Sequence, residues 1–568
     1  MKRLAKVILG LPIAGGLMMM GMFYMKAHPH PYPDAMIDAA SVPHFSEISV
    51  GFVHRHQKGS LPFLASAFFD ADGDAVPDLF LGGGAGQGDA LYRFTGGAFV
   101  DVSAASGIHK DPHDPTYGAA TIDVNRDGKS DLFVARESGI YLYQNHGGRF
   151  VGQKLAAPFN DRSVPVSFAL ADLNRDGWVD LYVPAYLPKS KMEGMNIFNK
   201  EGYGATSLLL LNNGDNTFKD ITKESALEYV HNSFQGAFVD LDEDDQLDLV
   251  VAHDTGHVKT WKNLGGCKFA DRPNPTSRVY GYPMGIGVGD YNNDGRTDLF
   301  FSNVGPTVPT FMAKGDLRPD QVFHPKLIFL RSDGGFKLSD VAQQTRTADY
   351  EFSWGVAMED FNLDGRQDLA IAQNFIDFPG HAFFRLPGRL LIQKDDQTFA
   401  AVEDQAGIEN RHFAITPLVA DLNGDGYPDL VYANLNGPAR AFLNRGGSAH
   451  HIKVALRDEP RSLGARVTVE TASGRTLHAH FVTSEGLASD SSHVLTFGLG
   501  SEAAVRRVLI RYLDGSSQTI DDPKVDTMLT CQAPPLAASP WAPSAPAPNT
   551  PAATGPAPLG SGNQGGGS

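Results

Sequence analysis

The chain has little of several things, and each shortage excludes a class of protein. Of 568 residues only two are cysteine, Cys267 and Cys531, and four are tryptophan. Two thiols cannot build a disulfide scaffold or a four-cysteine zinc site; in an oxidising compartment they could form a single staple. Basic charge is scarce as well, with 48 Lys and Arg against 65 Asp and Glu and a net charge of −17. Nucleic-acid binding leaves a basic footprint, and this chain has none. Catalytic signatures are missing too. There is no G-x-S-x-G elbow, no H-E-x-x-H, no paired cysteines and no phosphate-binding glycine loop. The stretch LGGGAGQGD at 81–89 is glycine-rich, but it precedes no helix and lacks the lysine such a loop needs.

Long apolar runs are also rare. The exception follows MKRLAK, where residues 7–25 carry no charge. A positive start before 19 such residues predicts export, either by a cleaved signal peptide or by a retained membrane anchor over 1–27. At the other end, residues 533–568 hold nine prolines and no charge, which predicts a disordered tail or tether.

What the chain has in abundance is aspartate at fixed spacing. Seven nonamers follow one pattern: Asp70-Asp72-Asp74-Asp78, Asp123-Asn125-Asp127-Asp131, Asp172-Asn174-Asp176-Asp180 and Asp240-Asp242-Asp244-Asp248, followed by Asp290-Asn292-Asp294-Asp298, Asp360-Asn362-Asp364-Asp368 and Asp421-Asn423-Asp425-Asp429. Crowded carboxylates repel one another, so a cation is expected among them. Oxygens at alternate positions followed by a glycine can converge on one point, and calcium accepts six to eight oxygen ligands in irregular geometry. An EF-hand opens in the same way, but it needs flanking helices and a Glu at position twelve. Here the fourth carboxylate comes at position nine, and runs such as DLFF, DLVVAH and DLFVA follow as strands. The expectation is a calcium loop inside a β-hairpin, with up to seven structural Ca²⁺ ions and all 28 of these residues as ligands. The loops contain 23 carboxylates, and seven divalent ions would bring the net charge from −17 to −3. Two loops depart from the pattern. Ala75 and Asp245 stand where the other five have Gly, a poorer choice if the turn needs positive φ.

The intervals between nonamers are 53, 49, 68, 50, 70 and 61 residues, which marks a repeat architecture. Each unit has small residues before the acidic loop, an apolar run after it, and a strand-turn-strand such as LLLLNNGDNTFKDIT. About four short strands per unit is the content of a propeller blade. The units resemble the FG-GAP and VCBS repeats of integrin-α-type propellers. Residues 449–531, with LGARVTVETASGRTLHAHF, SHVLTFGLG and VRRVLIRYLDGSSQTI, resemble the ASPIC/UnbV domain that follows such propellers in cartilage acidic protein-like proteins. The resemblance implies an all-β chain: a seven-bladed, calcium-bearing β-propeller over 44–447 and a small β-rich domain over 449–531.

Ring closure can be read from the sequence as well. A phenylalanine tag ends repeats at Phe99, Phe150, Phe218, Phe269, Phe336 and Phe399, but the seventh repeat has none. The tag at Phe45, in FSEIS, has no repeat of its own. The expectation is that Phe45–Ser49 supplies the outer strand of the last blade.

For function, the reading is an exported, periplasmic, cell-surface or secreted binding or adhesion module without catalytic residues. Its partner is expected to be an extracellular or envelope protein or a glycan. The alternatives are an enzyme or enzyme subunit with a site in the propeller channel, and an assembly scaffold for another exported protein. Insertions at 184–207, 303–326 and 374–389 are rich in Tyr, Phe, Met, Pro and Arg, a composition suited to interfaces. Histidine pairs such as His478 and His480 put two rings on one strand face, but no third metal ligand is evident.

Overall fold

Each acidic nonamer joins two antiparallel strands, the second of which begins at the fourth aspartate. Strand Thr116–Ile122 leads into the loop at Asp123, and strand Asp131–Arg136 follows it in antiparallel register, with Ile122 opposite Asp131. The computed structural model describes residues 31–534 apart from 57, 85, 110, 193–201, 308–316, 375–384, 458 and 484. The signal or anchor expected over 1–27 and nearly all of the tail fall outside the described residues. Among the described residues no helix is long and apolar enough to cross a membrane.

Among the described residues seven antiparallel meanders follow one another along the chain, six of four strands and the last of three: sheet one over 66–101, two over 116–154, three over 169–220, four over 233–272, five over 286–340, six over 353–401 and seven over 414–444. The inner strands of sheets three to seven pack in order, and those of sheets two and seven pack on that of sheet one. Gly118 of sheet two lies against Val166 and Ser167, which lead into sheet three, because a Cβ there would meet the Val166 carbonyl. The result is a ring of sheets about a central channel, a β-propeller. The strands beside the loops are buried from end to end, as in Asp131–Arg136 and Asp248–His253, so their sequences read as continuous apolar runs.

Sheet seven gets three strands from its own repeat. Its fourth is Phe45–Val53, which pairs antiparallel with Pro438–Asn444. Phe45 lies opposite Asn444, as Phe150 lies opposite Asn145, Phe218 opposite Asn212 and Phe269 opposite Asn263. The expected closure by Phe45–Ser49 is thus present in the register of the other repeats. One tag needs correction. Phe336 is not the first residue of its strand; it sits in the hairpin turn at φ 65°, where Asn216 and Cys267 sit in their sheets, and Leu338 takes the paired position opposite Ser332.

The C-terminal residues fold into a three-stranded sheet, Val494–Gly500, His450–Leu456 and Thr527–Cys531, and a four-stranded sheet over 466–521. Their apolar residues, among them Val454, Val467, Val508 and Ile510, join one buried cluster with Phe133, Phe168 and Leu181 of sheets two and three. The staple considered for the two cysteines is absent. Both thiols are free, and each is buried in its own apolar cluster, Cys267 at the hairpin of sheet four and Cys531 in the C-terminal core.

Candidate calcium loops and a filled channel

The loop geometry repeats from sheet to sheet. The first aspartate caps its own loop: Asp290 Oδ1 accepts from Asp294 N–H at 3.0 Å and Oδ2 from Gly295 N–H at 2.7 Å, and Asp123, Asp172, Asp240 and Asp360 do the same. Asp70 and Asp421 take a further N–H, from Gly73 and Gly424. The third aspartate accepts from the N–H two residues on, as Asp74 does from Val76 and Asp425 from Tyr427. These are local Asx-type bonds, the reason short carboxylates suit tight loops.

The fourth aspartate has a second task that the sequence reading did not give it. Asp131, Asp180, Asp248, Asp298, Asp368 and Asp429 each accept one N–H from the second residue of their own loop. Each accepts another from the end of the next strand, such as Asn145 on Asp131 at 2.7 Å and Asn444 on Asp429 at 2.7 Å. These carboxylates clamp loop to sheet and are almost wholly buried. Burial disfavours the charged form and pushes them up, to about 7 for Asp78 and Asp131 and about 8 for Asp180, Asp248, Asp298 and Asp429. Asp290 is raised to about 7 and Asp172 to about 6 for the same reason.

The turn residue before the strand has positive φ in every loop: 85° at Gly295, 86° at Gly128, 67° at Ala75 and 63° at Asp245. Ala75 and Asp245 thus hold the left-handed conformation that glycine takes at no steric cost. Both of these loops have Asp instead of Asn at the second position. In them three carboxylates gather, Asp70 with Asp72 and Asp78, and Asp240 with Asp242 and Asp244, with oxygens within 4.8 Å of one another. Asp72 Oδ1 and Asp242 Oδ1 are buried without a hydrogen-bond partner. An orphaned carboxylate oxygen within an all-oxygen donor set fits a hard cation such as calcium.

Sequence reading missed the amides that hold the loops. Asn145 Nδ2 donates to the Ala71 carbonyl in the loop of sheet one at 2.9 Å. Gln393 Nε2 reaches Tyr291 O at 2.9 Å, and Asn444 Nδ2 reaches Phe361 O at 2.9 Å. Each fastens a hairpin to the acidic loop of the preceding sheet. The signal was present, because an Asn recurs before the Gly turns in QNHGG, KNLGG and LNRGG. The histidine pair on strand Thr476–His480 is engaged with polar neighbours. His478 Nδ1 lies 3.0 Å from Thr468 Oγ1, and His480 Nε2 accepts from Arg466 at 3.1 Å.

Comparison with protein families finds known repeats and one known domain in the chain. The FG-GAP-like repeat matches residues 70–134, 123–183 and 240–301, the FG-GAP repeat matches 413–451, and ASPIC and UnbV matches 456–536. The chain carries FG-GAP repeats followed by an ASPIC and UnbV domain. It is similar to cartilage acidic protein 1 of Mus musculus, 27% identical over 185 residues that make up 32% of this chain and 27% of the relative. It is also similar to that of Xenopus tropicalis, 24% identical over 66% of this chain and 48% of the relative. The chain spans less than half the length of either. Among solved structures, BBS1N in complex with ARL6DN matches 70% of this chain and 97% of its own at 10% identity, with a TM-score of 0.41.

The ASPIC and UnbV domain sits on the loop face of the FG-GAP propeller. Arg475 Nη1 donates to Asp364 O at 2.9 Å in loop six, Arg511 pairs with Asp245 of loop four at 2.6 Å, and Lys453 pairs with Asp421 of loop seven. From this domain, residues 485–493 enter the channel. Ser489–Asp490 pairs in parallel with Ser66 and Ala67 of sheet one. Ala488 N–H donates to Gln235 of sheet four, and the Ala488 carbonyl accepts from Ala119 N–H of sheet two. Asp490 Oδ2 accepts from both N–H and Oγ1–H of Thr121, at 2.7 and 2.9 Å. Gly486 bridges Ile286 of sheet five, and Ser492 N–H donates to Val419 O of sheet seven. Leu487 and Ala488 are 0% exposed.

The other mouth is closed by Phe63, from the segment between the closing strand and sheet one. Its ring meets Tyr117, Tyr186 and Phe234 edge-on at 6.1, 6.0 and 5.7 Å. Trp354 and Phe413 continue this girdle at the starts of the inner strands of sheets six and seven, opposite the acidic loops. Phe63, Leu487 and Ala488 belong to one buried cluster, so the channel is filled from both ends. A side cavity of about 280 Å³ remains beneath the domain, lined by Glu359, Glu485, His480 and His493 among others.

Proposed function

We propose that the protein is an exported interaction module, stabilised by calcium in its acidic loops, that holds a protein or glycan partner on the propeller face opposite those loops. One observation carries this reading: the loop face and the channel are already taken by the chain itself. The insertions at 184–207, 303–326 and 374–389 join second to third strands, hence leave from the ends remote from the acidic loops; their middle portions lie outside the described residues. Long connections on a rigid scaffold commonly carry binding.

The residues that would hold an ion in a given loop are the first three acidic or amide positions of its nonamer with the clamped fourth aspartate. The ion would supply positive charge that keeps crowded, buried carboxylates ionised. The capped first aspartate and the clamped fourth preset the loop before any ion arrives, and the hairpin amides keep neighbouring loops in place. Filling of the channel argues against the enzyme alternative, because a catalytic site there would have no substrate access.

The test is capture from an envelope or extracellular extract by the full chain in calcium. A variant with 193–201, 308–316 and 375–384 replaced by Gly-Ser of equal length should keep its calcium-dependent melting and lose the captured partner. Undiminished capture by that variant would sink the assignment of the face.

A further inference from the structure

Loop seven differs from the other six in the cation it already has. Among the described residues it alone pairs its first carboxylate with a basic side chain, Lys453 Nζ on Asp421 Oδ2. Elsewhere the basic partners fall on the second to fourth positions: Arg93 on Asp72 and Asp78, Lys262 on Asp242 and Asp244, Lys129 on Asp127, Arg296 on Asp294 and Arg366 on Asp364. Those side chains are 22–41% exposed and can swing into water. The Lys453 side chain is 9% exposed and that of Asp421 is 10%.

Lys453 cannot easily leave. It lies on the central strand His450–Leu456, paired on one side with Val494–Gly500 and on the other with Thr527–Cys531. Its neighbour His451 packs so closely on the loop that a Cβ at Gly426 would fall 2.1 Å from the imidazole. The acceptor count points the same way. An ionised carboxylate offers about four lone-pair sites. Asp421 Oδ1 accepts from Gly424 N–H at 2.8 Å and Asp425 N–H at 3.2 Å, while Oδ2 accepts from Gly426 N–H at 2.9 Å and from Lys453. All four are used. Asp123 and Asp290 accept two such bonds each and keep two sites for a metal. A divalent ion in loop seven would also sit beside a buried ammonium that had lost its counter-ion, an arrangement that is costly to bury.

We propose that Lys453 of the ASPIC and UnbV domain is the resident cation of loop seven, so that docking of the domain and calcium binding at that loop exclude each other. This rests on the calcium reading of the other loops. The test is calcium per chain, measured by elemental analysis after equilibrium dialysis, for the full chain and for Lys453→Met. The wild-type count tests the calcium reading, and the difference between the two proteins tests the lysine. The variant should bind one ion more than wild type, and equal counts would overturn the proposal whatever the wild-type number. Should Lys453→Met fail to fold, amide hydrogen exchange on wild type decides. Chelation should deprotect 123–131 and 290–298 and leave 421–429 unchanged; deprotection of 421–429 overturns the proposal, and a chain in which no loop responds overturns both readings.

Discussion

The two mouths of the channel are filled in contrasting ways. At one, Phe63 arrives on a short segment from the closing strand and packs edge-on among aromatic rings. At the other, residues 485–493 arrive from a different domain, some 400 positions further along, and are held by backbone and side-chain hydrogen bonds to the inner strands of sheets one, two, four, five and seven. Apolar filling tolerates imperfect geometry. A hydrogen-bonded strand does not, because each misplaced group is left buried and unsatisfied. The loop-side mouth therefore depends on the whole C-terminal domain being correctly docked, whereas the aromatic mouth depends on local packing.

The strongest way to break this contrast is to end the chain after Arg445. That removes the strand filling the channel and uncovers the apolar cluster shared with sheets two and three. No folded monomer should be recovered by size-exclusion chromatography and circular dichroism; a monomer melting like wild type would show that the domain is dispensable. Deleting residues 28–50 comes next, because it takes most of the closing strand from sheet seven and exposes its edge. It should lower the melting temperature far more than deleting the tail does.

On the calcium reading proposed above, chelation should act on the loop side alone, and the pH dependence in its presence follows from the raised carboxyls. Asp180, Asp248, Asp298 and Asp429 sit at about 8 in the fold, against about 3.9 for an unfolded aspartate. Their stabilising contribution in the metal-free protein is therefore full below about pH 4 and lost as pH rises through about 8. In EDTA the melting temperature should fall between pH 5 and pH 8.5, while in calcium it should hold. A flat profile in EDTA would count against the loops as strained, metal-seeking sites.

At the aromatic mouth, Phe63→Ala should cost about 3–5 kcal/mol by urea unfolding, the range for a buried phenylalanine. The smallest change is Ala75→Gly, which should gain about 1 kcal/mol or less by relieving a positive φ. Asp245→Gly should gain less, because it gives up the contact with Arg511.

Where the chain repeats itself, its fold was legible. The nonamers located every hairpin carrying an acidic loop, the interval gave the ring, and the unmatched tag at Phe45 gave the closure with its register. The glycine departures at Ala75 and Asp245 marked true positive-φ sites. What happens once was not legible. Residues 485–493 have no periodic pattern, and their partners are scattered over five sheets. Lys453 looks like any lysine on a strand, and its counter-ion is fixed only by domain docking. Phe336 misled because it sits two residues before the paired position, which Leu338 takes in a hairpin of the same length as those of sheets three and four.

The closing strand also sets a timetable. Ser46 and Arg445 touch at 399 positions' separation, so the closing strand, once it has left the ribosome, has no native partner until nearly the last repeat has followed it. For all that time an unpaired strand edge is exposed, which is the circumstance in which β-rich chains associate wrongly. Native pairings this remote also slow folding, since the loop-closure entropy is met before the contact rewards it. The ring is thus made safe only at its final step, and the amount of correctly folded protein should depend on how well those early residues are shielded while the rest of the chain arrives.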